Sequence, residues 1–429
     1  MLVTRSRFKT ALLAVLVVLS VVLSYLLWSG RWQQTSEVAY SEGDTLTNAD
    51  DPRLETALSP IRWVFMIPKP ERVSVAVPGS AAYTRWQELL RTARVENLHP
   101  LSAAPQTSGM AARVEFGTAL PFRILSYWMP GLSSLGMLGA AQTVTFYTPP
   151  SGKPVRLLLA NGSSVYGADT DVDPAAFQKD LEAAVAGHEW MAWNDSAGSY
   201  IPRAGQHMRT FSVRWQAAQT IPLVHSFFVN PMALTRIDEG PHTVLWTDGS
   251  RVVWWDQGNN TLSYTDPNPP PATGGNIQDI SMVLQYVRGH GGAEPFCVID
   301  SSDAMGETDV YEMHPYVDGF PVLTARAASE LELQGGRVVS YRRPLANLDT
   351  PKPEGTVTTM GADGLQKVLR NLMPTTPVNT LEVRLGYALS SAASGEARLV
   401  PAFFVTQSGL SLWVIDAVNG RVLQGMGAQ

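Results

Sequence analysis

Cysteine is almost missing from this chain: Cys297 is the only one in 429 residues. An internal disulfide is excluded, so a chain of this length must be held together by its core. Phe296, Val298 and Ile299 flank the thiol, with no basic neighbour and no Cys-x-x-Cys partner. It reads as a small buried hydrophobe rather than a nucleophile. Charge is sparse, at 16% of residues with a net of −6, and no basic run suggests a nucleic-acid partner. Histidines are few, and none of the seven stands four residues from another. That excludes the helical zinc pair of metalloproteases. G-x-S-x-G, Walker and dinucleotide fingerprints are missing as well. No catalytic residue, cofactor-binding residue or metal ligand is marked out, which moves the weight of the reading from catalysis to binding.

One pattern resembles a calcium loop. Asp169, Asp171 and Asp173 alternate as in the start of an EF-hand, but Pro174 stands where that loop needs Gly, and Asp180 where it needs Glu. A helix N-terminus explains the same residues without a metal: Asp173 at the N-cap and Pro174 at the first helical position.

What the sequence does have is an unbroken apolar run at residues 11–28, free of charge, Pro and Gly. As a helix it reaches about 27 Å, close to the hydrocarbon thickness of a bilayer. Arg5, Arg7 and Lys9 precede it, and Glu37, Glu42, Asp44, Asp50 and Asp51 follow. The positive-inside bias places the N-terminal stub in the cytoplasm and the long remainder outside. Tyr25, Trp28 and Trp32 fall where an outer aromatic belt belongs. A cleaved signal peptide is the competitor, but the run ends in Tyr-Leu-Leu-Trp rather than a small-x-small site. The expected localisation is a single-pass anchor in the cell membrane with an extracytoplasmic bulk. Exported bulk without disulfides suits a Gram-positive surface. Within the anchor, Ser20 and Ser24 lie one turn apart and share a face with Leu13, Val17 and Leu27. Small residues at this spacing let helices approach, and a hydroxyl bond across them is worth about 0.6 kcal/mol. The alternative is that each serine bonds a carbonyl of its own helix.

The expected fold class is α+β, with antiparallel sheets behind the transmembrane helix. The layout runs as a stub (1–10), the anchor (11–28), a polar spacer (29–52), an N-terminal α+β domain (53–205) and a mostly-β segment (206–275). Two α+β modules follow, at 276–345 and 346–429. Periodicity predicts helices over 81–97, 174–185, 277–287 and 363–372, and a short one over 231–237. Residues 221–229 read as extended, as do 320–326. The last two modules look like copies. GFPVLTARAASELELQGGRVVSYR and RLVPAFFVTQSGLSLWVIDAVNGRVLQ share an apolar strand near Pro, a polar turn, an alternating strand and a tight Gly turn. They also look loosely like PepSY-type modules.

Phe227-Phe228-Val229-Asn230-Pro231, Thr235-Arg236-Ile237, Thr247-Asp248-Gly249-Ser250-Arg251 and Leu262-Ser263-Tyr264 follow one another in an order and spacing that resembles the YycH family. The basic stub, Leu/Val/Ser anchor and long exported portion are similar to that family in layout. The resemblance implies a regulator without catalytic activity. It would restrain the WalK (YycG) sensor histidine kinase of low-GC Gram-positive bacteria, which controls cell-wall metabolism. Its partners would be that kinase, a YycI-like single-pass protein and the lipid bilayer, reached mainly through transmembrane helices. Rival expectations from other classes are an exported wall hydrolase and a PepSY-like protease inhibitor or chaperone.

Overall fold

The computed structural model describes residues 16–18, 20, 52–105, 109–135, 139–149, 154–162, 164–187, 189–194, 198–217, 220–267, 279–292, 297–305, 308–324, 326–348, 350–391, 396–407 and 410–425. Met1–Thr47 and Asn48–Gln429 are separate compact units. In the first, the described residues are helical and exposed. No helix among the described residues is long and apolar enough to cross a membrane. Most of the 11–28 run lies outside the described residues.

The second unit is mixed α+β and mostly antiparallel sheet. Its first sheet has nine strands. They are β1 (Arg62–Pro68), β2 (Glu71–Ala76), β3 (Val95–Leu101), β4 (Ala111–Pro121), β5 (Ala140–Tyr147), β6 (Arg156–Asn161), β7 (Ser164–Thr170), β8 (Trp190–Asn194) and β9 (Ser199–Pro202). Their order is β3-β7-β6-β5-β4-β1-β2-β8-β9. Helices α1 (Ala81–Thr92) and α2 (Pro174–Val185) pack by their apolar stripes against β1. Trp86 of α1 sits 5.6 Å from Trp63, 5.0 Å from Phe65 and 5.6 Å from Phe177 of α2, ring to ring. The side chain of Asp173 caps α2 by accepting from the Ala176 amide, with Pro174 opening the helix. The periodicity that predicts α1 continues too far. The helix stops at Thr92, and the residues after it turn extended because Val95 is buried as the first residue of β3.

Beyond β9 the chain feeds two further sheets. The strands and helices are β10 (His207–Ala217), α3 (Thr220–Ser226), β11 (Thr235–Glu239), β12 (Thr243–Thr247), β13 (Val252–Asp256), β14 (Thr261–Thr265), α4 (Asp279–Gly289), β15 (Cys297–Met305), β16 (Thr308–Val317), β17 (Phe320–Pro321), β18 (Ser329–Gln334) and β19 (Arg337–Pro344). After them come β20 (Ala346–Leu348), β21 (Lys352–Thr358), α5 (Ala362–Leu372), β22 (Glu382–Ser391), β23 (Glu396–Gln407), β24 (Leu410–Asp416) and β25 (Val422–Gln424). One sheet runs β20-β10-β23-β24-β25, with β21 on β10 and β22 on β23. The other runs β11-β12-β13-β14-β19-β18-β16-β15, with β17 on β16. The strands between β9 and α4 are thus shared out: β10 joins the C-terminal sheet, and β11–β14 join the sheet of β15–β19. The helix-led runs α4-β15-β16-β18-β19 and α5-β22-β23-β24-β25 have the same strand order.

Several expected elements differ. Residues 221–229, read as extended, contain helix α3, because burial of Leu223 and Val224 overrides their β-branched neighbours. The expected helix over 231–237 shrinks to a 3-10 turn at Pro231–Ala233. Thr235 and Ile237 instead pair with Thr247 and Leu245. The expected strand over 320–326 is only Phe320-Pro321, with Val322 bridging to Tyr387 of β22. The strand that completes the first of the two runs is β15, where Asp300 breaks the apolar pattern. One large apolar cluster reaches all three sheets. It draws Val64, Trp190 and Ile201 from the first, Phe211, Leu399 and Phe403 from the second, Phe320 and Val322 from the third, and Leu365 and Leu369 from α5.

Candidate functional site

The three sheets meet at a β-bulge. The β15–β16 register shifts between Ile299 and Ser301, and Asp300 is the residue between them. A bulge re-aims a side chain, here into the interior. The Asp300 side chain is 0% exposed. Arg384 of β22 donates to its Oδ2 at 2.5 Å, and the Tyr316 hydroxyl donates to Oδ1 at 2.6 Å. His314 Nδ1 lies 3.2 Å from Oδ2 without the alignment of a hydrogen bond. Burial works against ionisation of this carboxyl, but Arg384, with His314 and Tyr316, outweighs it and holds Asp300 well below the usual carboxylate range. Burial, then the Asp300 charge, pushes the Tyr316 hydroxyl far up. The first sheet reaches the same point through Gly117 of β4. A Cβ there would stand 2.1 Å from the Ile299 carbonyl oxygen and 2.6 Å from Asp300 Cα.

A second buried ion cluster belongs to the first sheet. Glu115 of β4 takes Arg62 Nε at 2.6 Å and Arg113 Nη2 at 2.8 Å. Arg113 also donates to the Tyr200 hydroxyl, and Arg62 lies over the Tyr200 ring. Burial disfavours the Glu115 charge, yet the two guanidinium groups hold its carboxyl below the usual range. Beside it, Ser199 Oγ donates to the Val383 carbonyl and accepts from the Val383 amide, latching β9 to β22. Every charge in these clusters is met by an opposite charge or a hydrogen bond, as buried ions require. Neither cluster lines the concavity of about 660 Å³ at the end of α1 or that of about 330 Å³ between α1 and α2. The Asp300–Arg384 pair fastens two sheets, and Glu115 with its two arginines fastens strands of the first.

The Asp169, Asp171 and Asp173 carboxylates are engaged separately. Asp169 accepts from Asn97 Nδ2, Asp171 from the Arg94 amide and Asp173 from the Ala176 amide. Among the described residues no group of His, Cys, Asp and Glu has a metal-holding arrangement. Cys297 is buried and forms no disulfide. Of the anchor face, Val17 and Ser20 are helical and exposed, while Leu13, Ser24 and Leu27 lie outside the described residues.

The segment around Phe227 divides into an anchor and a tip. Phe227 stacks on Tyr264 at 5.1 Å and on His290 at 4.4 Å, and His290 stacks on Tyr286 at 4.0 Å. Burial, with a smaller push from Arg343, lowers the His290 proton affinity. Asn230 Oδ1 then accepts from the Met232 amide, turning the chain so that Val229 and Met232 are exposed, Met232 at 92%. Asp248 Oδ1 accepts from the Ser250 and Arg251 amides and the Ser250 hydroxyl, with Gly249 at φ +92°, to close the β12–β13 turn. The quoted motif residues are therefore structural at both ends and presented to solvent in the middle.

Sequence reasoning missed Asp300, Arg384, Glu115 and Arg62, and took His314 as unremarkable. The available signal was Asp300 itself, a carboxylate directly after Cys-Val-Ile in a buried run. Its partners are 14 to 84 residues away and carry no local mark.

Fold and site together define a class: a mostly antiparallel α+β scaffold whose buried ions tie strands together within and between its sheets and whose accessible features lie on its edges. The family model described as YycH protein, C-terminal domain, matches residues 197–411. The chain belongs to the YycH family. Its fold is similar to the crystal structure of YycH from Bacillus subtilis, with a TM-score of 0.61 at 12% identity, over 86% of this chain and 95% of that one. A weaker likeness, TM-score 0.35 at 13% identity, over 56% of this chain and 94% of the other, is to an uncharacterized protein from Eubacterium rectale. The Bacillus megaterium YpeB C-terminal domain gives 0.26 at 13% identity, over 50% and 99%. No curated protein sequence matches the chain significantly.

Proposed function

We propose that this protein is a non-enzymatic, membrane-anchored regulator of a WalK/YycG-like sensor histidine kinase. Family membership is the single observation that carries the reading. The apolar run at 11–28 supports an anchor, and the charge asymmetry around it supports a cytoplasmic N-terminus. The bulk of the chain then lies outside the membrane, as the C-terminal sheets of two related modules and the N-terminal α+β domain. The contact that matters is between helices in the bilayer. The face of Leu13, Val17, Ser20, Ser24 and Leu27 meets the kinase or a YycI-like single-pass partner. A helix of this kind restrains a kinase only by binding one of its two states better than the other. The buried charges support this non-catalytic reading, since each is paired inside the scaffold, Asp300 with Arg384 between two sheets and Glu115 with Arg62 within one.

The test is kinase autophosphorylation in nanodiscs holding the kinase and the full-length chain. The native chain lowers the rate, and a chain whose residues 11–28 are replaced by an unrelated membrane helix does not. Equal restraint by both chains contradicts the mechanism.

A further inference from the structure

β11 is the end strand of its sheet, and among the described residues it pairs with β12 alone. All five of its residues are exposed. Natural edge strands are blunted by Pro, Lys, bulges or inward charges, because an open edge is a template for another strand. β11 has no Pro, Lys or bulge, and its charges, Arg236, Asp238 and Glu239, are of both signs, so they repel a strand of one sign but fit one of complementary pattern. Its register with β12 is unbroken from Thr235–Thr247 to Glu239–Thr243, and its centre is Ile237, 43% exposed. The chain leading into it is held by the Phe227 stack, and Val229 and Met232 before the strand are exposed.

The sequence of the strand, Thr-Arg-Ile-Asp-Glu, is complementary to itself when reversed. In an antiparallel pair centred on Ile237, Ile237 meets Ile237, Arg236 meets Asp238, and Thr235 meets Glu239. Arg236 and Asp238 already share a face, 2.8 Å apart. Two copies therefore set four charges in alternation. Centring the pair on Arg236 or on Asp238 would oppose like charges, which is destabilising. Charge thus selects one register, and that register has the two-fold symmetry of an isologous dimer.

We propose that β11 is a self-association edge: a second copy of this chain adds its own β11 antiparallel, centred on Ile237, and continues the sheet across a two-fold axis. The occupant is a second copy because the charge pattern that fits β11 is its own.

The experiment is oxidative crosslinking of the full-length chain in membranes, where buried Cys297 gives a silent background. Ile237→Cys should form a disulfide-linked dimer. Thr235→Cys and Glu239→Cys should each fail alone and crosslink when the two variants are co-expressed. Arg236→Asp in the Ile237→Cys background should abolish the dimer, and adding Asp238→Arg should restore it, which separates a lost contact from a lost fold. No crosslink at 237 in a protease-resistant chain overturns the proposal. So does equal crosslinking at all three positions, or crosslinking of 237 to a different protein.

Discussion

Asp300 shows how one residue can fasten two sheets at the point where a third packs against them. Its carboxylate is taken out of water completely, and only partners from β16 and β22 make that tolerable. Removing Arg384 while keeping the carboxylate leaves a buried charge short of its main partner. Such deletions cost roughly 3–5 kcal/mol, and the low end applies here because Arg384 is partly exposed. Arg384→Met should therefore lower the denaturant midpoint, and Asp300→Asn added to it should recover part of the loss. A double variant as weak as the single would contradict the pairing. His290 gives the second residue-scale prediction. Its proton affinity is lowered in the fold, so the unfolded chain binds the proton more readily. Stability from this site is full above the ordinary histidine value of about 6.5 and is lost as pH falls below it. Protection factors of the α4 amides, taken relative to the intrinsic exchange rate at each pH, should fall between pH 7 and 5.5, and His290→Phe should flatten that dependence. An unchanged slope in the variant would remove the assignment.

At the scale of elements, the close approach of β4 to β15 depends on one glycine. A methyl at Gly117 would collide with backbone of Ile299 and Asp300, which has no rotamer to yield. Gly117→Ala should separate the two strands locally, read as faster exchange of β15 amides and a lower melting temperature. Unchanged exchange there would show that the strands can shift freely. Elements of this kind divide by where their information lies. The start of α2 was legible because Asp173 and Pro174 act within one turn. α5 and β22–β25 were legible because their apolar periods match their burial. α3 was not, since its sequence is extended by local preference and helical only because Leu223, Val224 and Phe227 have a core to enter. β15 was not, because a bulge and a buried carboxylate interrupt its alternation. The ion clusters were illegible for the same reason at longer range: charges chosen by tertiary contact leave no spacing to read.

For the whole molecule, the buried charges and the surface point to different tasks. Among the described residues of Asn48–Gln429, a large apolar cluster spans the three sheets and two ion clusters lie inside them, which makes them a scaffold. The regulatory reading assigns the decisive contact to residues 11–28, with the scaffold to position that helix. The central claim is tested most directly by crosslinking in membranes followed by mass spectrometry, comparing the native chain with one whose residues 11–28 are replaced. The expected result is recovery of a histidine kinase and a second single-pass protein with the native chain only. Equal recovery with both chains would contradict the claim and move the contact to the sheets outside the membrane.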